Sequence, residues 1–260
     1  MKNPMLDLQT AYLSRTGRRK RNEDACGYWT SVEGCCWVVS DGAGGHGSGD
    51  RAAQLVVSIV LEGFSRQPEV SESAAISLLE AAQAAVLAEK AAHPEGDDMH
   101  ATAAILLIDA QRGEAVWSHV GDTRIYLFRQ HVLQHQTRDH SMVQNMINAG
   151  YCTAEMSRNH PMRSLLTSAI GDANDLELTV SGPPIAVGPG DAFLICSDGW
   201  WEYVDEQGMA SELAAAGSAE EWLEHMAAIV EAHDNPLSDN YSAITLLLDK
   251  AEDETTVIMP

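Results

Sequence analysis

Basic residues are scarce in this chain. Sixteen lysines and arginines stand against 38 aspartates and glutamates, for a formal net charge of −22. So negative a surface repels phosphate backbones, which argues against nucleic acid and anionic membranes as partners. Long apolar runs are missing too, and none approaches the roughly 20 residues that cross a bilayer. The opening MKNPMLDLQTAYLSRTG has no apolar stretch of the signal-peptide kind, so the expected location is cytoplasmic. Cysteine is sparse: Cys26, Cys35, Cys36, Cys152 and Cys196, with no C-x-x-C spacing. Cys35 and Cys36 would point to opposite faces of a strand. Neither a disulfide framework nor a zinc site is expected, and the thiols read as small apolar residues in a reducing compartment.

What the chain does hold is ample material for a core. Its 260 residues are 45% hydrophobic, enough for one large domain. No linker divides it, so residues 1–250 are expected to form a single domain, with 251–260 an acidic, flexible tail. The run GCCWVVS (34–40) reads as a buried strand. DRAAQLVVSIVLEGF and SESAAISLLEAAQAAVLAEKAA have helical period. The second has Ser71 or Ser73 as N-cap and stops before His93-Pro94. TAAILLID (102–109), EAVWSHV (114–120) and TRIYLFR (123–129) follow at hairpin spacing, joined by AQRG and by GD. DHSMVQNMINAG (139–150) predicts a short helix ending at Gly150, followed by a polar stretch to about residue 170. DLELTV and DAFLICS read as strands, SAEEWLEHMAAIVEAHD as a helix and YSAITLLLD as a last buried strand. This order is not the strand–helix alternation of a parallel sheet. It predicts an α+β fold of largely antiparallel sheets with helices outside.

Gly42, Gly44 and Gly47 in WVVSDGAGGHGSGD spell G-x-G-x-x-G after an apolar run, with Glu62 twenty positions beyond Gly42. A dinucleotide fold would need a second strand there, carrying the acid at its end. Here Glu62 falls in a helical pattern and a second long helix follows. The glycine spacing is read as coincidence.

The acids are more informative. WVVSDG (37–42) is echoed by LICSDG (194–199), each an apolar strand followed by Ser-Asp-Gly. Further acids occur in RNEDA (21–25), HVGDTR (119–124) and LSDNYS (237–242). Four of the five sites adjoin an expected strand end, and RNEDA is expected to open a strand. Any one Asp-Gly or Asp-Asn marks a turn. Carboxylates converging from several strand ends would repel one another unless neutralised, and an all-oxygen set suits Mg²⁺ or Mn²⁺ better than zinc. The cluster Arg15, Arg18, Arg19, Lys20 and Arg21 beside such a set suggests a phosphate substrate.

These motifs, in this order, resemble the metal-dependent serine/threonine phosphatases of the protein phosphatase 2C (PPM) family in their bacterial form. RRKRNEDACGYW is similar to the family's opening motif and VVSDGAGGHGSG to its Asp-Gly-x-Gly-Gly-His motif. HATAAILLI, HVGDTRIYLFR, QTRDHSMVQNMINAG, HPMRSLLTSAIG, LICSDGWWEYV and SDNYSAITLLL complete the set. The resemblance implies a sandwich of two antiparallel β-sheets flanked by helices, with two Mn²⁺ or Mg²⁺ ions in a cleft at one end. By motif, Asp41 would bridge the metals, the Gly42 carbonyl and Glu23 would bind one, and Asp198 and Asp239 the other. Asp24 would hold a metal-bound water. Asp122 would join Asp198 at a third, weaker ion. Arg19 would grip the phosphoryl group, with Arg18 and Arg21 as surface charge. The implied chemistry is in-line attack by a hydroxide shared by the metals.

The sequence departs from some family members in two places. Ala43 stands where they have a histidine proposed as general acid, leaving His46 as the nearby candidate. Trp200-Trp201 is bulkier than usual after Asp-Gly and is expected to pack in the core. Cys196 is expected to pack as well. The polar flap, roughly 146–163, would shape substrate choice, and its Cys152 and His160 lack partners at metal-ligand spacing.

The resemblance implies a phosphorylated protein substrate and an opposing serine/threonine kinase. NEDACGYW is similar to phosphatases of type VI secretion gene clusters, where such a pair acts through a forkhead-associated-domain protein. Thr255 and Thr256, each with an apolar residue three positions on (Ile258, Met259), would suit such a domain if phosphorylated. The competing reading is a pseudophosphatase that only binds a partner. Retention of Glu23, Asp41, Asp198 and Asp239 speaks against it.

Overall fold

The computed structural model describes residues 6–44, 48–93, 98–158, 160–174, 176–233 and 238–251. His46, Gly47 and the tail threonines lie outside the described residues. The chain begins with β1 (Leu6–Arg15), β2 (Asp24–Thr30) and β3 (Cys35–Ala43), then helices α1 (Ser48–Arg66) and α2 (Glu72–Ala92). Five strands follow: β4 (His100–Ala101), β5 (Ala103–Asp109), β6 (Glu114–Val120), β7 (Arg124–Arg129) and β8 (Val132–Gln136). Next come α3 (Met142–Asn148), the single turn α4 (Ala154–Ser157), β9 (Thr179–Val180), β10 (Ile185–Ala186) and β11 (Asp191–Cys196). The last elements are α5 (Asp198–Trp201), α6 (Glu206–Ala215), α7 (Ala219–Ala232) and β12 (Tyr241–Lys250).

Two antiparallel sheets form. One runs β1-β12-β11-β7-β8; the other runs β10-β6-β5-β3-β2, with β4 beside β3 and β9 beside β6. Strand alternation explains how they stack, because successive residues face opposite sides. On β3, Trp37 and Val39 enter the core between the sheets with Phe193, Ile195 and Ile244. Cys36 and Val38 turn to the other face, beneath α1 and α2. Cys35 and Cys36 therefore occupy different cores, and both thiols are free. Each wholly buried aliphatic side chain of this kind contributes roughly 1.5–3 kcal/mol.

The helices cover the outer faces. Ala52, Val56, Val60 and Phe64 recur at helical spacing and turn one side of α1 inward. Ser71 caps α2, its hydroxyl accepting from Ala74 N at 3.1 Å, and the helix stops at His93, just before proline. On the opposite outer face Trp200, Trp201 and Cys196 pack with Trp222 and Met226 of α7, as expected for core residues.

Three sequence expectations change. β6 and β7 do not form a hairpin, since β6 pairs with β5 and β7 with β11. The intervening Gly121-Asp122, with Gly121 at φ +88°, instead carries the chain from one sheet to the other. DLELTV pairs only through Thr179 and Val180. The hairpin partner of β7 is β8, across Gln130 and His131, both at positive φ. That turn lacks the Asn-Gly signal such geometry favours. Strand β1 and helix α6 also went unmarked by any pattern noted in the sequence.

Candidate active site

Each acid reaches the site from a different element. Asp24 on β2 lies directly opposite Asp41 on β3, with Glu23 just before it. Asp198 opens α5 after β11, and Ser197 between them is the helix N-cap. Asp239 precedes β12, and Asp122 sits in the turn that crosses between the sheets. Glu23, Asp41, Asp122, Asp198 and Asp239 then line one cleft of about 330 Å³ with Arg19, Gly42, Thr102, Ser164, Leu166 and Asn240. A cavity of about 380 Å³ against α1 and α2 holds only one carboxylate, Glu69, and no cation. Size does not mark the site; chemistry does.

Much of the positioning comes from residues the sequence did not single out. Asn240, 4% exposed, accepts from Glu23 N at 2.8 Å and donates to the carbonyls of Thr16 and Arg21 at 2.7 and 2.8 Å. It ties the arginine-rich loop to Asp239. Ser197 Oγ donates to Asp24 Oδ2 at 2.8 Å, joining the two sheets. Thr102 Oγ1 accepts from Asp41 N at 3.0 Å and lies 2.6 Å from Thr123 Oγ1. His140 accepts from Gly121 N at 3.1 Å on Nδ1, and its own N–H donates to the Gly121 carbonyl at 2.9 Å. The serines of the repeated Ser-Asp-Gly were the available signal: Ser40 and Ser197 are both fully buried.

Gly42 has a local reason. A Cβ there would collide with the Gly49 carbonyl at the start of α1, and the Glu23 carbonyl is close behind. The glycine lets three chain segments meet beside the acids.

Burial and mutual repulsion dominate the electrostatics. Burial raises Asp24 to about 6, opposed by the Ser197 bond. Burial, then the charge of Asp139, raises Asp122 to about 7, offset by Arg124. Asp41 and Asp198 are pushed well above the ordinary range, first by burial and then by neighbouring carboxylates. Glu23 is raised by burial and by Asp50. For Arg19 burial lowers the pKa, but the attraction of Asp239 and other acids outweighs it.

Arg19 Nη2 bonds Asp239 Oδ2 at 2.6 Å, at a half-exposed position from which it faces the cleft. Arg21 lies 4.0 Å from Asp50, outside the cleft lining. Among the described residues no three of the acids are drawn into a closed cage; they line the cleft as an open set. The donors nonetheless fit hard divalent cations. They are all oxygen, burial raises Glu23, Asp41, Asp122 and Asp198, and among the described residues Asp24 Oδ1 and Asp198 Oδ1 are buried without a hydrogen-bond partner. Asp24 itself lies beneath the cleft, held by Ser197, while Glu23, Asp41, the Gly42 backbone, Asp122, Asp198 and Asp239 reach it.

Two stacked antiparallel sheets, helices on both outer faces and a cleft lined by acids define an α+β sandwich with a candidate metal site. Residues 14–239 match protein phosphatase 2C, and the chain belongs to that family of protein phosphatases. It is 30% identical to the serine/threonine phosphatase Stp of Listeria monocytogenes over 196 residues, 74% of this chain and 77% of the relative. The fold superimposes on the serine/threonine phosphatase PstP/Ppp of Mycobacterium tuberculosis with a TM-score of 0.81 and 26% identity, covering 93% of this chain and 99% of that one. A PstP catalytic domain in complex with two manganese ions gives 0.78 at 24% identity, covering 94% and 99%. PppA, a regulatory component of type VI secretion in Pseudomonas aeruginosa, gives 0.71 at 26% identity, covering 93% and 97%. No helix among the described residues is long and apolar enough to cross a membrane.

Proposed function

We propose that this chain hydrolyses phosphoserine and phosphothreonine in proteins, using two divalent ions, Mn²⁺ or Mg²⁺, held in the acid cleft. The observation that carries this reading is the convergence of five carboxylates and one arginine on a single cleft. Asp41 would serve both ions, with Glu23 and the Gly42 carbonyl holding one and Asp198 and Asp239 the other. Asp122 with Asp198 would hold a third, weaker ion. The bound ions supply an activated water and polarise the phosphoryl oxygens. Arg19, released from Asp239 or sharing it, orients the phosphoryl group and offsets charge on its oxygens. Asp24, held beneath the cleft by Ser197, would hold a metal-bound water when the ions are in place.

The likeness to Stp and PstP supports a role opposing a serine/threonine kinase. The likeness to PppA supports control of type VI secretion, where a forkhead-associated-domain protein is the further partner. Five free cysteines accord with a cytoplasmic setting.

The test is hydrolysis of a phosphothreonine peptide with Mn²⁺, with Mg²⁺ and with excess chelator, beside Asp41→Ala. Turnover that needs metal and vanishes in the variant supports the reading. No turnover with either ion, in folded protein, would overturn it in favour of a partner-binding module.

A further inference from the structure

Large apolar side chains are exposed at both ends of the flap and on it. Met142 is 43% exposed, Met162 37% and Leu165 52%. Backbone bonds hold these three together. Arg163 N donates to the His160 carbonyl at 3.0 Å and Leu165 N to the Met162 carbonyl at 3.1 Å. These two i→i+3 bonds close overlapping turns that bring Met162 and Leu165 close together in the chain's path. Met142 N donates to the Leu165 carbonyl at 2.8 Å, bringing the start of α3 to the same place.

This segment adjoins the active site. Ser164 and Leu166, on either side of Leu165, line the cleft with Arg19 and the acids. Ser141 and Leu166 also pair as an antiparallel bridge, fixing the turn against the base of α3. The flap is anchored from behind. Arg163 grips Glu202 with both guanidinium arms, and Arg158 Nη2 meets Glu206 at 2.6 Å. Both flap arginines are therefore committed to α5 and α6. Tyr151 and Met156 are exposed elsewhere on the flap, while Met142, Met162 and Leu165 are the exposed large side chains bonded to the segment that lines the cleft.

We propose that Met142, Met162 and Leu165 form a docking lip for apolar residues flanking the phosphorylated side chain of a protein substrate. The inference rests on the phosphatase reading above. A phosphoryl group seated among the acids brings the chain that carries it across the lip. Extended chain advances about 3.3 Å per residue, so residues two or three places away lie roughly 7–10 Å from the phosphorylated one. Apolar side chains there would cover the lip and remove both surfaces from water. Acidic ones would meet a chain of net charge −22. Three half-exposed apolar residues are enough to discriminate substrates by about tenfold.

The test compares two phosphothreonine peptides, one with leucine and one with serine at the second and third positions on both sides. Para-nitrophenyl phosphate, too small to reach the lip, is the third substrate. The leucine peptide should show a KM about tenfold lower than the serine peptide, with similar kcat. Met162→Ser with Leu165→Ser should erase that difference and leave para-nitrophenyl phosphate hydrolysis unchanged. Met142→Ser alone, on a separate element, should weaken it in the same direction. Equal KM values for the two peptides in the unmodified protein, or discrimination that survives all three substitutions, would overturn the proposal. Absence of para-nitrophenyl phosphate hydrolysis in the unmodified protein would sink the phosphatase reading instead. Should the double variant lose the small substrate as well, Met142→Ser decides.

Discussion

The indole Nε1 of Trp201 donates to the carbonyl oxygen of Asp122 at 3.0 Å. The same ring lies under the guanidinium of Arg124, with Cζ 3.6 Å from its centroid. Trp201 thus links the helical turn that begins with Asp198 to the crossing turn that carries Asp122. Two acids from distant parts of the chain are held in register by one core side chain.

Trp201→Phe should keep most of the packing but leave the buried Asp122 carbonyl without this donor. A lost bond of that kind costs about 1–3 kcal/mol. Urea unfolding should report a loss in that range. Unchanged stability would mean the carbonyl finds another partner.

Arg124 and Asp139 form a two-pronged ion pair at 2.8 and 2.7 Å, with side chains only 7% and 11% exposed. Removing one member strands the other charge out of water. Asp139→Ala should therefore destabilise the protein by about 3–5 kcal/mol. Replacing both residues together, by methionine and leucine, should cost less, and a double-mutant cycle on urea midpoints checks this.

Arg19 and Asp239 contrast with that pair. Their side chains are 57% and 35% exposed, so the bond contributes about 0–1 kcal/mol to folding. Arg19→Ala should leave the melting temperature nearly unchanged. In the proposed reaction it removes a charge that faces the transferring group, and kcat/KM should fall about 100-fold. A parallel loss of stability and activity would refute that division.

Divalent ions and protons should compete in the cleft. Asp24 is raised to about 6 and Asp122 to about 7, with Asp41 and Asp198 also raised. Raised carboxylates hold protons in the folded, metal-free protein that the unfolded chain has already released. Their contribution to stability is therefore present at low pH and lost as pH rises through the folded values. Added Mn²⁺ must displace those protons. The rise in melting temperature it causes should be small near about pH 5 and grow to about pH 7.5. His119, buried and lowered to about 4, changes the baseline on the acid side but not this difference. A metal-induced shift independent of pH would count against these carboxylates as the ligands.

Much of the site was legible because its parts are local. A buried apolar run followed by Ser-Asp-Gly predicts a strand end with an acid just beyond it. Asp198 lies just past β11 as that pattern puts it, whereas β3 runs on through Asp41 to Ala43, where Asp41 pairs with Asp24. The long helices were legible for the same reason, since their apolar period and the Ser71 cap are written in neighbouring residues. The second β-hairpin misled because Gly-Asp is turn chemistry whichever sheet the next strand joins. Whether β7 pairs with β6 or with β11 depends on which side chains fill the space between the sheets, and no local pattern carries that. The short β9 likewise reflects competition for the edge of β6.

From the sequence alone follow the acid set, the arginine beside it, the antiparallel α+β class and the family resemblance, because each rests on residue type and short-range spacing. The tertiary structure alone decided that Asn240 clamps the arginine loop, that Ser197 joins Asp24 across the sheets, and that Trp201 holds the Asp122 turn. It also turned Met162 and Leu165 outward beside the cleft. Those relations join residues as much as 224 positions apart. Directional bonds over such separations exist only once the two cores have packed and brought the strand ends together.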